Sequence, residues 1–146
     1  MRNVELETRQ AALCLFRNGN AFLVAEIQDP QTGLVLHRPP GGGIEEGESP
    51  EQALRREVRE ELGVTLTTIE ELGTVDHVWF WNGREVRERA WLFLASSSDD
   101  ARLSRGECPA LIEADGQGFK TFWRPIEGNM ATLPPLCPSG IAEFLK

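Results

Sequence analysis

An α/β fold, with a mixed sheet packed by helices, is the expectation for this chain of 146 residues. Strand-like runs lie on both sides of one strongly punctuated helix. Two Asn-Gly dipeptides, Asn18-Gly19 and Asn82-Gly83, sit where tight hairpins would join neighbouring runs. The length suits one core, since domains run to roughly 100–200 residues, and a single domain over residues 1–146 is expected.

Arg9 to Phe16 and Ala21 to Ile27 are apolar runs that read as strands joined around Asn18-Gly19. Asp29-Pro30-Gln31-Thr32-Gly33 is a loop and Leu34-Val35-Leu36 a short strand. In Pro39-Pro40-Gly41-Gly42-Gly43 neither helix nor sheet is comfortable. The spacing then predicts a helix from about Pro50 to Leu62. Ser49 can cap it, Pro50 suits its first position, Gln52 completes a capping box, and Gly63 supplies the stop. Leu54, Val58 and Leu62 form its apolar stripe.

Beyond the helix, Thr74 to Trp81 and Glu85 to Ala95 flank Asn82-Gly83. A two-residue turn there sets Asp76 opposite Arg89 and His77 opposite Glu88, pairs that favour this register. Ser96 to Gly118 is polar and longer than most connections. Phe119 to Ile126 reads as a last strand. Ser139 to Leu145 reads as a short closing helix with Ile141, Phe144 and Leu145 inward.

Composition narrows the function classes. A hydrophobic fraction of 40% and a charged fraction of 26% exclude a disordered or fibrous chain. No apolar stretch approaches the ~20 residues that cross a bilayer, and Met1 to Glu5 is too acidic and polar for a secretion signal. A soluble cytoplasmic protein without a membrane partner is therefore expected. With 15 basic and 23 acidic residues the net charge is -8, which would repel a long nucleic acid. The three cysteines, Cys14, Cys108 and Cys137, form neither a metal motif nor a disulfide framework.

The acidic excess is concentrated. Between Glu45 and Glu61 lie seven glutamates and three arginines, a net of -4. Glu57, Glu60 and Glu61 fall at i, i+3 and i+4, so they share one helix face, roughly a quarter turn from the apolar stripe. Like charges at this spacing cost ~0.2–0.5 kcal/mol per pair. Arg56 can reach Glu60 and Arg55 can reach Glu51, but nothing local neutralises Glu57 and Glu61 as well. A hard divalent cation would do so. A solvated acidic face is the other reading, and on these glutamates alone both stay open. Gly41-Gly42-Gly43 in front lets backbone approach a ligand. A Walker-type phosphate loop is rejected, because it would need Gly-Lys-Ser/Thr where this chain has acids. Glycines with carboxylates fit a metal-bridged phosphate better.

From Gly42 to Val64 the sequence resembles the Nudix box, G-x5-E-x7-R-E-U-x-E-E-x-G-U with U aliphatic. Gly42, Glu48, Arg56-Glu57-Val58, Glu60-Glu61 and Gly63-Val64 meet every fixed position. The resemblance implies a Nudix-type α/β/α sandwich with a mixed sheet between helices. It also implies hydrolysis, dependent on Mg2+ or Mn2+, of a nucleoside diphosphate linked to another moiety: a nucleoside triphosphate, nucleotide sugar or dinucleotide. Glu57, Glu60 and Glu61 would hold the metal with the Gly41 backbone carbonyl, and Glu48 would pair with Arg56. Gly42 and Gly63 would complete the structural box. Glu57 or Glu60 would take the proton of the attacking water, unless a carboxylate of the later loop, Glu107, Glu113 or Asp115, does so. The partner would be a small-molecule nucleotide, and a homodimer is compatible with the family.

The substrate pocket is less legible. Trp79, Phe80 and Trp81 would either stack a base or pack a core, and core is expected for two of the three. Arg38, Trp79, Trp81 and Glu88 are the candidate substrate residues, although pairing with His77 explains Glu88 equally well. His37 beside Arg38 could meet a phosphate or be plain surface. The alternatives to an enzyme are a catalytically silent nucleotide-binding sensor of the same fold, and a calcium-binding or acidic interaction module.

Overall fold

Residues 7–97, 101–112, 118–128 and 130–146 are described by a computed structural model. The strands are β1 (Arg9–Asn18), β2 (Ala21–Gln28), β3 (Val35–Arg38), β4 (Gly41–Gly43), β5 (Thr68–Trp81), β6 (Arg84–Ser96), β7 (Leu111–Ile112) and β8 (Gly118–Pro125). The helices are α1 (Pro50–Leu62), α2 (Ala101–Ser104) and a closing 3-10 turn, Ile141–Leu145. The sheet runs β5-β6-β1-β2-β8-β7, with β3 beside β2 and β4 beside β1. It is mixed: β1 and β6 run parallel and every other named pair is antiparallel.

The sheet splits near its middle. β1 and β2 pair only at Arg17–Phe22 and Asn18–Ala21, around a turn whose central residues are Gly19 and Asn20. From there β1 turns to β6 and β4, while β2 turns to β3 and β8. A crevice opens between the two branches.

Alternation along β1 builds two cores. Ala12, Cys14 and Phe16 face α1 and meet Leu54, Val58 and Leu62. Leu13 and Leu15 face the other way, with Phe22, Leu92, Ile141 and Leu145. Each fully buried side chain of this size contributes roughly 1.5–3 kcal/mol. The second face is thus closed by the 3-10 turn. Phe144, expected inward, is 37% exposed, and its ring lies against Gly73.

Several elements differ from expectation. The glycine run forms strand β4 on β1, because Gly41 lies so close to the Ala12 carbonyl that any side chain would collide with it. β5 starts six residues earlier than Thr74, bending at a bulge between Glu71 and Gly73 where alternation breaks. The long connection after Ser96 contains α2 and β7, the latter pairing with β8. Among the described residues no helix is long and apolar enough to cross a membrane.

Candidate active site

Helix α1 spans Pro50–Leu62, with the Ser49 hydroxyl accepting from the Gln52 amide and the Gln52 side chain accepting from the Ser49 amide. Gly63, left-handed at φ 71°, donates to the Arg59 carbonyl and ends it. Arg56 joins this rigid element to the loop before it. Its Nε and Nη2 donate to Glu48 at 2.8 and 2.9 Å, and Nη2 also donates to the Gly43 carbonyl at 3.0 Å. Its Nη1 donates to Glu57 at 2.9 Å and to Glu60 at 3.5 Å. Hydrogen bonding from Arg56 holds the Glu48 carboxyl down to about 2.

The three helix carboxylates do not share one environment. A side chain on Gly42 would begin 2.6 Å from the Glu57 carboxylate carbon, so glycine alone leaves that group its place. Glu61 is buried, and one of its oxygens accepts from the Gly41 amide at 3.2 Å. Glu57 and Glu61 line the crevice where the sheet splits, whereas Glu60 stands half-exposed beside Arg56.

That crevice holds about 350 Å³. It is lined by Gly41, Gly42 and Gly43 with Glu57 and Glu61, by the rings of Trp79, Trp81 and Phe119, and by Arg9 and Arg38. Neither tryptophan is in a core, contrary to expectation, and Phe80 between them is 67% exposed. Alternation puts Trp79 and Trp81 on one face, and the splitting sheet leaves that face open. Their rings lie 5.6 Å apart, and the Arg38 guanidinium sits 5.0 Å from the Trp79 ring centre. A second depression of about 440 Å³ beside His77 and Arg89 is reached by none of the box carboxylates.

The expected register of β5 and β6 is present. Asp76 faces Arg89 and His77 faces Glu88, each pair joined by side-chain hydrogen bonds. Glu88 is 1% exposed and lies behind the crevice wall. One nitrogen of Arg38 donates to both its oxygens, at 2.8 and 2.9 Å, and His77 Nε2 lies 2.9 Å away. Burial raises the Glu88 carboxyl, but His77 and Arg38 outweigh it and the group titrates below its ordinary value. His37 is buried between Glu26 and Arg124 and does not line the crevice. Glu107 is exposed and pairs with Arg105; Glu113 and Asp115 fall outside the described residues.

Sequence reasoning missed Arg9 and Phe119. Arg9 pairs in register with Glu88 across the parallel β1–β6 ladder, and that pairing joins residues far apart in the chain. No local pattern marks it. Phe119 opens an expected strand, but nothing in its neighbourhood tells a core aromatic from a crevice wall.

The donor set around the glycines suits a hard cation. Glu57 and Glu61 offer carboxylate oxygens at an open crevice, with Glu60 adjacent. Among the described residues no three acidic, histidine or cysteine side chains form a ready-made cage. Two carboxylates and free space fit magnesium, which commonly keeps waters and substrate phosphates among its ligands.

A family model described as NUDIX domain matches residues 7–132. The chain is 33% identical over 120 residues to the RNA pyrophosphohydrolase of Photobacterium profundum, covering 72% of this chain and 67% of that protein. It is 32% identical to the RNA pyrophosphohydrolase of Vibrio cholerae, over 60% of this chain and 57% of that protein. The chain thus spans about three fifths of the length of such relatives. Among solved structures, the MutT NUDIX hydrolase from Burkholderia pseudomallei superimposes with a TM-score of 0.66 at 24% identity. That match covers 97% of this chain and all of that one, and it is a likeness of fold. The ORF135 protein of E. coli gives 0.56 at 25% identity, over 96% of this chain and 88% of that one.

Proposed function

Because this chain belongs to the Nudix family, we propose that it is a pyrophosphohydrolase, dependent on Mg2+ or Mn2+, that cleaves the diphosphate linkage of a nucleotide. The observation that carries this reading is the packing of Glu57 against Gly42, with Glu61 held by the Gly41 amide, at the mouth of an aromatic-walled crevice. A solvated acidic face would not need a glycine to make room for one of its carboxylates.

Glu57, Glu60 and Glu61, with the Gly41 carbonyl, would hold the cation. When bound, it neutralises phosphate oxygens and lowers the pKa of water. The chain's own groups do the rest. Arg56 ties Glu57 to the glycine loop, so carboxylate and backbone keep one geometry. Glu57, on the crevice wall, accepts the proton as a water oxygen bonds to phosphorus, with Glu60 as the other box carboxylate for that task. The anhydride P–O bond breaks, and the leaving phosphate keeps the bridging oxygen. Trp81 and Phe119 offer faces for a base, where stacking contributes ~1–3 kcal/mol. Arg38 steadies the Trp79 ring from Glu88.

A second reading is favoured by the names of the two relatives: the nucleotide is the 5′ end of an RNA, entering as a single terminal residue. The net charge of -8 disfavours contacts along a longer strand.

The test is a panel of nucleoside triphosphates, nucleotide sugars, dinucleotides and a 5′-triphosphorylated oligoribonucleotide, incubated with magnesium and analysed for products. We expect turnover that Glu60→Gln and Glu61→Gln each reduce by about 100-fold or more while the far-UV CD is kept, the scale set by catalytic acid-base groups. Retained turnover in both variants would move the chemistry to other residues. Nucleotide binding by calorimetry, with no hydrolysis of any compound, would make the chain a sensor.

A further inference from the structure

Strand β4 has a partner on one side only, β1, and its other edge lies in the crevice. Consecutive residues on it look to opposite sides. Gly42 faces the Glu57 carboxylate, and Gly43 faces Arg9, whose nearest nitrogen lies 3.4 Å from where a side chain would begin. A phosphate chain crossing this edge therefore meets carboxylates on one flank and a guanidinium on the other.

Arg9 differs from Arg38 beside it, and from Arg56 on the helix, in what it has left to give. Arg56 directs Nε, Nη1 and Nη2 to Glu48, Glu57 and the Gly43 carbonyl. Arg38 is turned onto Glu88 and Trp79. Arg9 approaches only Glu88, through Nε at 3.6 Å, and its terminal nitrogens meet no acceptor among the described residues. Glu88 is already bonded by Arg38 and His77, so most of the Arg9 charge is uncompensated. The side chain is 51% exposed: anchored at Nε by a buried carboxylate, it presents its free fork to the crevice.

We propose that Arg9 is a substrate-binding residue that grips the end of a phosphate chain. It selects nucleotides whose chain ends freely, nucleoside triphosphates or 5′-triphosphorylated ends, over diphosphates closed by a sugar or a second nucleoside. A guanidinium fork matches two unbridged oxygens, and charge-assisted pairing strengthens with the anion's charge. A terminal phosphate offers three unbridged oxygens and up to two negative charges; an internal one offers two oxygens and one charge. The assignment names the substrate class of the hydrolase reading and rests on it.

The experiment compares wild type, Arg9→Lys and Arg9→Gln in two ways, after CD and thermal melts show all three folded. Inorganic pyrophosphate is titrated calorimetrically, and magnesium-dependent kinetics are measured on a nucleoside triphosphate and on the nucleotide sugar of the same nucleoside. We expect Arg9→Gln to weaken pyrophosphate binding and raise KM for the triphosphate by about ten- to hundredfold, the worth of a charged hydrogen bond, with kcat less affected. Arg9→Lys should fall between, and KM for the sugar should not move. Unchanged binding and KM in Arg9→Gln would overturn the proposal, as would an equal loss on both substrates or a wild type that prefers the sugar. A wild type that binds pyrophosphate through Arg9 and hydrolyses nothing would instead overturn the hydrolase reading, leaving the anion site in place.

Discussion

Glu48 and Arg56 are separated by the cap residue Ser49 and about two helical turns, yet the Nε–Nη2 edge of the guanidinium meets both carboxylate oxygens. The fork geometry makes this pair worth more than a lone surface ion pair, because the same arginine also holds Gly43 and Glu57. The Glu48 carboxyl is lowered from 4.5 to about 2 by hydrogen bonding from Arg56. A carboxyl lowered by folding stabilises the fold above its unfolded value and loses that contribution as pH falls toward its folded value. Wild type should therefore melt above Glu48→Gln near neutrality. The margin should shrink below about pH 4.5 and vanish near pH 2. Thermal melts of both proteins across that range check it, and a margin that survives unchanged at the acid end would contradict the pairing. This contact was expected from the resemblance to the Nudix box, whose glutamate and arginine here stand eight residues apart. Arg9 was not, since its partner Glu88 lies on a strand far along the chain.

Helix α1 begins and ends where its own residues dictate. Ser49, Pro50, Gln52 and Gly63 act on backbone groups within one turn, so no distant contact is needed to set the boundaries. Replacing Ser49 by Ala removes the acceptor for the Gln52 amide and should cost about 1 kcal/mol. A fall in melting temperature of roughly 2–4 °C follows for a chain of this size, with hydrolysis kept. A melting temperature identical to wild type would mean water replaces the cap without loss. The strands behaved differently. β4 is a strand only because β1 supplies its partner, and β7 only because β8 does. Neither three glycines nor Leu111-Ile112 carries a local signal that distinguishes it from a loop. The first six residues of β5 were missed for the same reason, since Glu70, Glu71 and Gly73 gain strand geometry by pairing with β6 across a bulge.

The splitting of the sheet makes the crevice, and two ties hold its branches at a set distance. Arg38 on β3 reaches Glu88 on β6. Asp29, after β2, accepts from the Asn82 amide in the β5–β6 turn at 3.2 and 3.3 Å. Removing one partner of a buried pair leaves the other uncompensated, at a cost of about 3–5 kcal/mol. Glu88→Ala should lower the melting temperature by something on the order of 10 °C, because Arg38 and His77 both lose their acceptor. A shift of only a degree or two would show that water replaces the carboxylate and that the tie contributes little.

From sequence alone, α1 and the Asp76–Arg89 and His77–Glu88 register could be read, because each depends on neighbours a few residues apart or across a short turn, and the glycine–carboxylate motif could be read from its resemblance to the Nudix box. The three-dimensional fold decided that Trp79 and Trp81 wall a crevice instead of filling a core, that Arg9 joins them, and that Glu60 shares Arg56 Nη1 with Glu57 while lying outside the crevice lining. Those outcomes follow from where β1 and β2 part company. Periodicity states that two side chains share a face, and only the packing of the whole sheet determines whether protein or solvent lies opposite it.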